Sequence, residues 1–144
     1  MIEQDTIKLL RECDAGINMG IASIDEVMKY VSDGALKELL RRCRAEHDKL
    51  AGEVQEQLVR FREEGKEPNP VAKTMSGLMT DVKLTLNESD ATIASIMTDG
   101  CNMGVKSLNR YLNQYGAADE YAKDIAKRLI HLEERLTDDL REYL

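Results

Sequence analysis

Gly16 to Ile24 reads GINMGIASI, and Gly100 to Leu108 reads GCNMGVKSL. Five of the nine positions are identical, and Ile21/Val105 and Ile24/Leu108 exchange one apolar residue for another. The offset is 84 residues in a chain of 144. A solenoid repeats every ~20–50 residues, so this spacing points instead to two related halves of one domain.

Working outward from the first copy, apolar residues recur at alternate steps of three and four: Leu10, Cys13, Ile17, Gly20, Ile24, Val27 and Val31. That period marks a helix with one broad buried face, predicted over 4–31. Ser32-Asp33-Gly34 reads as its stop signal. A second seam runs through Leu36, Leu40, Cys43, His47, Leu50, Val54, Leu58 and Phe61, predicting a helix over 35–61. Gly65, Pro68 and Pro70 end that helical stretch. Asn69-Pro70 is a helix-start signal, and Val71, Met75, Leu78, Met79, Val82 and Leu86 predict a shorter amphipathic crossover helix over 70–87.

The second copy sits in a helix predicted over 89–115, with seam residues Ile93, Met97, Cys101, Gly104, Leu108, Tyr111 and Tyr115. A last helix is predicted over 118–143, with Ala122, Ile125, Leu129, Leu132, Leu136 and Leu140 inward. The second and fourth helices align more weakly, at an offset of 86. The chain therefore reads as one domain, 1–144: a hairpin over 4–63, a crossover helix over 70–87 and a hairpin over 89–144.

Composition agrees with an all-helical domain: there are two prolines and six aromatic residues (five Tyr, one Phe), and 33% of the chain is charged. Acids outnumber bases 27 to 20, for a formal charge of −7. That balance argues against phosphate-backbone binding and against an anionic membrane surface. No apolar run approaches the ~20 residues that span a bilayer. The first residues lack a secretory pattern, so the expected location is the cytoplasm. Cys13, Cys43 and Cys101 are odd in number, widely spaced and on apolar seams. They are expected to be buried free thiols.

Glycine inside a helix costs about 1 kcal/mol against alanine, so Gly16, Gly20, Gly100 and Gly104 need a compensating role. The expected one is a close crossing of the first and third helices, as small-xxx-small patterns allow. Glycines lining a slot for a small ligand are the alternative. Met19 and Met103 point away from the expected core and are candidates for a homo-oligomer surface.

Two helical hairpins joined by a long crossover, with Arg44-Ala45-Glu46-His47-Asp48-Lys49-Leu50 in the second helix, resemble the ferritin-like antiparallel four-helix bundles. More narrowly, the chain is similar to a bacterial ferritin-like domain family of unassigned function. The resemblance implies an all-α, pseudo-symmetric bundle. In its metal-binding members two irons are held by one Glu on each of two helices and Glu-x-x-His on each of the others.

This sequence departs from that pattern. His47 takes the place of the motif histidine, but Arg44 stands three residues before it, and the corresponding pair in the last helix is Ile130 and Glu133. The inward positions of the first and third helices carry no carboxylate. A buried hydrogen-bonded pair of His47 and Glu133 is therefore expected, with no cofactor. The alternative is a reduced site for iron or another divalent metal at His47, Glu133 and Cys43. His131 is expected to face solvent or the crossover helix.

No Gly-rich phosphate loop, nucleophile elbow or HExxH motif is present. Cys43 and His47 lie one turn apart, but an apolar stripe favours an inert thiol. The sequence reads as a non-catalytic structural or interaction protein that self-associates, with a metal or redox protein and a small-ligand carrier as alternatives.

Overall fold

The computed structural model describes residues 2–61 and 89–144; the crossover helix expected over 70–87 lies outside them. Four long helices pack together: α1 (Ile2–Met28), α2 (Gly34–Arg60), α3 (Asp90–Gln114) and α4 (Glu120–Leu140), followed by one 3-10 turn, Arg141–Tyr143. The longest, at 27 residues, extends about 40 Å at 1.5 Å per residue.

Three of the helix starts are set by short polar side chains. Asp33, Ser89 and Asp119 each accept a hydrogen bond from the backbone N–H three residues on, at Leu36 (2.9 Å), Thr92 (3.0 Å) and Ala122 (2.8 Å). Each satisfies an otherwise orphaned helix-terminal donor. Asp33 therefore begins α2, and α1 ends five residues earlier than Asp33, at Met28. The reason is tertiary. Asp90 accepts from the N–H groups of Ser32 and Asp33 at 2.9 and 3.0 Å, drawing the chain out of the helix there. At the other end of the bundle Asp5 accepts from Ala117 N–H (3.0 Å) and the Thr6 hydroxyl accepts from Asp119 N–H (2.8 Å). This holds the α3–α4 turn and starts α4 two residues later than its apolar pattern suggests.

These bonds also set the direction of each helix. The start of α3 lies at the α1–α2 turn, and the start of α1 lies at the α3–α4 turn. Thus α1 runs antiparallel to α2 and α3 and parallel to α4, and Phe61 and Ser89 stand at opposite ends of the bundle. The two tie points correspond within the repeat: Asp90 follows Thr6 by 84 residues, and Asp119 follows Asp33 by 86.

The core is the set of apolar seams read from the sequence. Leu9, Leu10, Cys13, Ile17 and Ile24 of α1 meet Leu36, Leu40, Val54 and Leu58 of α2, Ile93 and Ala94 of α3, and Ile125, Leu129 and Leu140 of α4 in one cluster. α1 and α4 each pack against all three other helices, whereas α2 and α3 occupy the far corners. One substitution within the repeat accounts for part of this skew. Leu129 of α4 reaches Gly16 of α1, at 3.9 Å from where a Cβ would stand. Cys43, the residue 86 positions before Leu129, is shorter, and nothing lies within 4 Å of the corresponding point on Gly100.

Between α2 and α4 the seam is closed by Arg128, whose guanidinium donates to both oxygens of Glu53 at 2.8 and 2.7 Å. The Tyr121 hydroxyl adds a third bond to Glu53 at 2.8 Å. The Arg128 hydrogen bonds hold the Glu53 carboxyl below the usual carboxylate range.

Candidate functional site in the bundle interior

Midway along the bundle two polar side chains interrupt the apolar seams. His47 of α2 is 2% exposed and Glu133 of α4 is 8% exposed. Burial of such groups is costly unless each is hydrogen-bonded or neutral.

His47 is satisfied locally. Its Nδ1–H donates to the carbonyl of Cys43 at 2.8 Å, one turn back in α2. That bond assigns the proton to Nδ1 and leaves Nε2 with its lone pair. The Cys43 Sγ lies 3.6 Å from the same nitrogen. Burial pushes the imidazole pKa down from 6.5, so the ring is kept neutral.

Nε2 and Cδ2 lie against α1. They stand 2.8 and 3.0 Å from the point where a Cβ on residue 20 would be, and residue 20 is glycine.

Glu133 repeats this arrangement in the other hairpin. Its carboxyl lies against Gly104 of α3, with Oε1 2.7 Å from the corresponding Cβ point and Oε2 closer still. Here nothing local satisfies the group: Oε2 is buried and has no hydrogen-bond partner. The Thr137 hydroxyl donates to the backbone carbonyl of Glu133 at 3.0 Å, not to its carboxyl. With no offsetting cation, burial raises the carboxyl pKa from 4.5 to about 8, and the side chain is a neutral acid at pH 7.

Two of the sequence expectations change. His47 and Glu133 are both buried, but no hydrogen bond joins them. The imidazole spends its proton on its own helix, and each side chain turns toward the glycine of its own hairpin. Nor do the glycines bring α1 and α3 backbones together. Gly20 and Gly104 seat His47 and Glu133, Gly16 receives Leu129, and Gly100 is exposed. The slots these glycines leave are filled by side chains from α2 and α4, which also fills the space assigned to a small ligand.

The three cysteines are free and buried as expected. Burial pushes all three thiols up to about 12, which leaves them protonated and poor nucleophiles. Cys43 and Cys101 each sense the charge of Glu133, and Cys43 that of Cys101, so the three groups share the middle of the bundle.

The residues do not fit a di-iron centre. Arg44, in place of the motif glutamate, faces outward and pairs with Asp25 (2.7 Å) and Asp48 (2.7 Å). The inward residues of α1 and α3 are Ile17, Gly20, Cys101 and Gly104. Among the described residues no group of three or more His, Cys, Asp and Glu side chains is arranged to hold a metal ion, the trio His47, Glu133 and Cys43 included.

Met19 and Met103 are exposed, at 38% and 70%, on the outer faces of α1 and α3. His131 is exposed beside Glu134 at 3.6 Å. Sequence reasoning missed Asp14, a buried carboxylate on the α1 seam that accepts from Gln55 Nε2 at 2.9 Å. Its position between Cys13 and Ile17 was the available signal. Thr98, 84 residues later, has a buried hydroxyl without a partner.

No helix among the described residues is long and apolar enough to cross a membrane. No protein-family model, curated protein or solved structure matches this chain.

Proposed function

We propose that this protein is a ferritin-like bundle of two related hairpins with a non-catalytic, structural role, acting through its outer surface as a homo-oligomer in the cytoplasm. The observation that carries the reading is the filling of the interior. At the level where a ferritin-like protein would open a site, His47 and Glu133 lie against Gly20 and Gly104, and the thiols beside them are protonated. The matched ties, Asp90 to the first turn and Thr6 to the second, support a common origin of the hairpins. Met19 and Met103 occupy equivalent outward positions, and an exposed apolar residue repeated in this way suits a symmetric contact.

Sedimentation velocity on the purified protein, with Met19→Glu and Met103→Glu, tests the reading. Expected is an oligomer that at least one charge substitution dissociates without loss of helicity. A monomer at all concentrations removes the oligomer. Uptake of about two irons per chain from ferrous solution, abolished by His47→Ala, replaces the structural role with a metal-dependent one.

A further inference from the structure

The two hairpins carry opposite kinds of titratable group at one repeated position: a base seated on glycine in α1–α2, an acid seated on glycine in α3–α4. We propose that this makes them a two-sided pH sensor: loss of the Glu133 proton drives its carboxylate from the Gly104 seat and loosens α3–α4, whereas protonation of His47 at Nε2 expels the ring from the Gly20 seat and loosens α1–α2.

The surroundings of Glu133 leave its charge no other outlet. From α3 it meets Gly104 and Cys101, the latter a protonated thiol. From α2 the nearest titratable groups are Cys43, also a protonated thiol, and His47, a neutral ring. At the rim Glu46 and Arg135 are 3.8 Å apart, and Arg128 is committed to Glu53 and Asp124. From α1, the Gly16 contact with Leu129 lies one turn before Glu133, and the next α1 residues inward are Ile17 and Gly20.

The proton lost goes to solvent, and the carboxylate left behind has an oxygen with no donor. An ionised, unpaired, buried carboxylate is far more costly than an exposed one, so the open form is favoured. His47 differs in having one nitrogen already bonded. Its second proton would add a donor pointing at the α1 backbone beside Gly20, with the acids Glu46 and Asp48 on its own helix as the nearest charges.

Linkage sets the size of the response. Opening that exposes Glu133 releases one proton over the interval between its exposed and seated titrations, so the opening constant rises tenfold per pH unit from near 4.5 until about 8. For α1–α2 the sign is reversed: opening rises as pH falls below 6.5.

The test is amide hydrogen exchange followed by mass spectrometry from pH 5 to 9, corrected for the intrinsic chemical rate, on wild type, Glu133→Gln and His47→Gln. Expected is an opening constant for residues 100–108 that rises about 100-fold between pH 6 and pH 8 in wild type. It stays flat in Glu133→Gln, while residues 16–24 respond only on the acid side and lose that response in His47→Gln. Should Glu133→Gln not fold, Glu133→Leu serves, since it also removes the titration. An unchanged profile for residues 100–108 in the Glu133 variant overturns the proposal. So does parallel opening of both hairpins at alkaline pH, which would mean global unfolding.

Discussion

The imidazole of His47 fills the place where residue 20 lacks a Cβ: Nε2 lies 2.8 Å from the position a Cβ on Gly20 would take. A contact under 3.0 Å to a ring held on its other side by Cys43 leaves the ring little room to yield. The matching contact of Glu133 with Gly104 is as tight, but the atoms there are the far end of a flexible side chain. The same repeated glycine therefore carries different tolerance in the two hairpins.

Alanine substitutions should rank accordingly. Gly100→Ala meets nothing within 4 Å and gains helix propensity, so it should stabilise by about 0.5–1 kcal/mol. Gly104→Ala forces the Glu133 carboxyl aside, a shift that also relieves its burial, and the net change should stay within about 1 kcal/mol of zero. Gly20→Ala must displace a packed ring and should cost about 1–3 kcal/mol. Urea unfolding midpoints give the ranking.

Glu133 should make the protein less stable as pH rises. Its seated form holds a proton that the unfolded chain has lost, so stability is fully present below pH 4.5 and declines until about pH 8. Wild type should lose ground against Glu133→Gln at about 1.4 kcal/mol per pH unit across that interval, then run parallel to it. Paired urea titrations at pH 5, 6, 7 and 8 measure the difference, and parallel curves throughout would refute it.

Asp90 and Thr6 tie opposite ends of the bundle. Asp90→Ala frees the N–H groups of Ser32 and Asp33, and Thr6→Ala frees that of Asp119. Each change should cost about 1–2 kcal/mol. Because the ties are at opposite ends, the double variant should show the sum within about 0.5 kcal/mol. Thermal unfolding of the two single variants and the double variant closes this cycle.

Cys13, Cys43 and Cys101 should resist a disulfide reagent such as DTNB in the native protein at pH 8 and react together once unfolded. Burial both blocks access and holds the thiols near 12. Rapid labelling of any one of them under native conditions would contradict the packing around it.

The seams were plain in the sequence because a period of three and four residues needs no partner to be recognised. All seven interior positions of α2 from Leu36 to Leu58 lie where that period puts them. The outward placement of Met19 and Met103 follows from the same wheel. The glycines were harder. Their repetition on α1 and α3 suggested that these two helices meet there, yet the seats are filled from α2 and α4. A glycine announces a space without naming its occupant.

The sequence by itself determined four amphipathic helices, two related halves and a polar residue at the middle of α2 and of α4, since periodicity and repetition are properties of the chain alone. Only the tertiary structure decided that His47 and Glu133 do not pair. A hydrogen bond depends on which neighbour reaches first. The Cys43 carbonyl, one turn away on the same helix, takes the imidazole proton before any group across the bundle can, and Glu133 is left to hold its own.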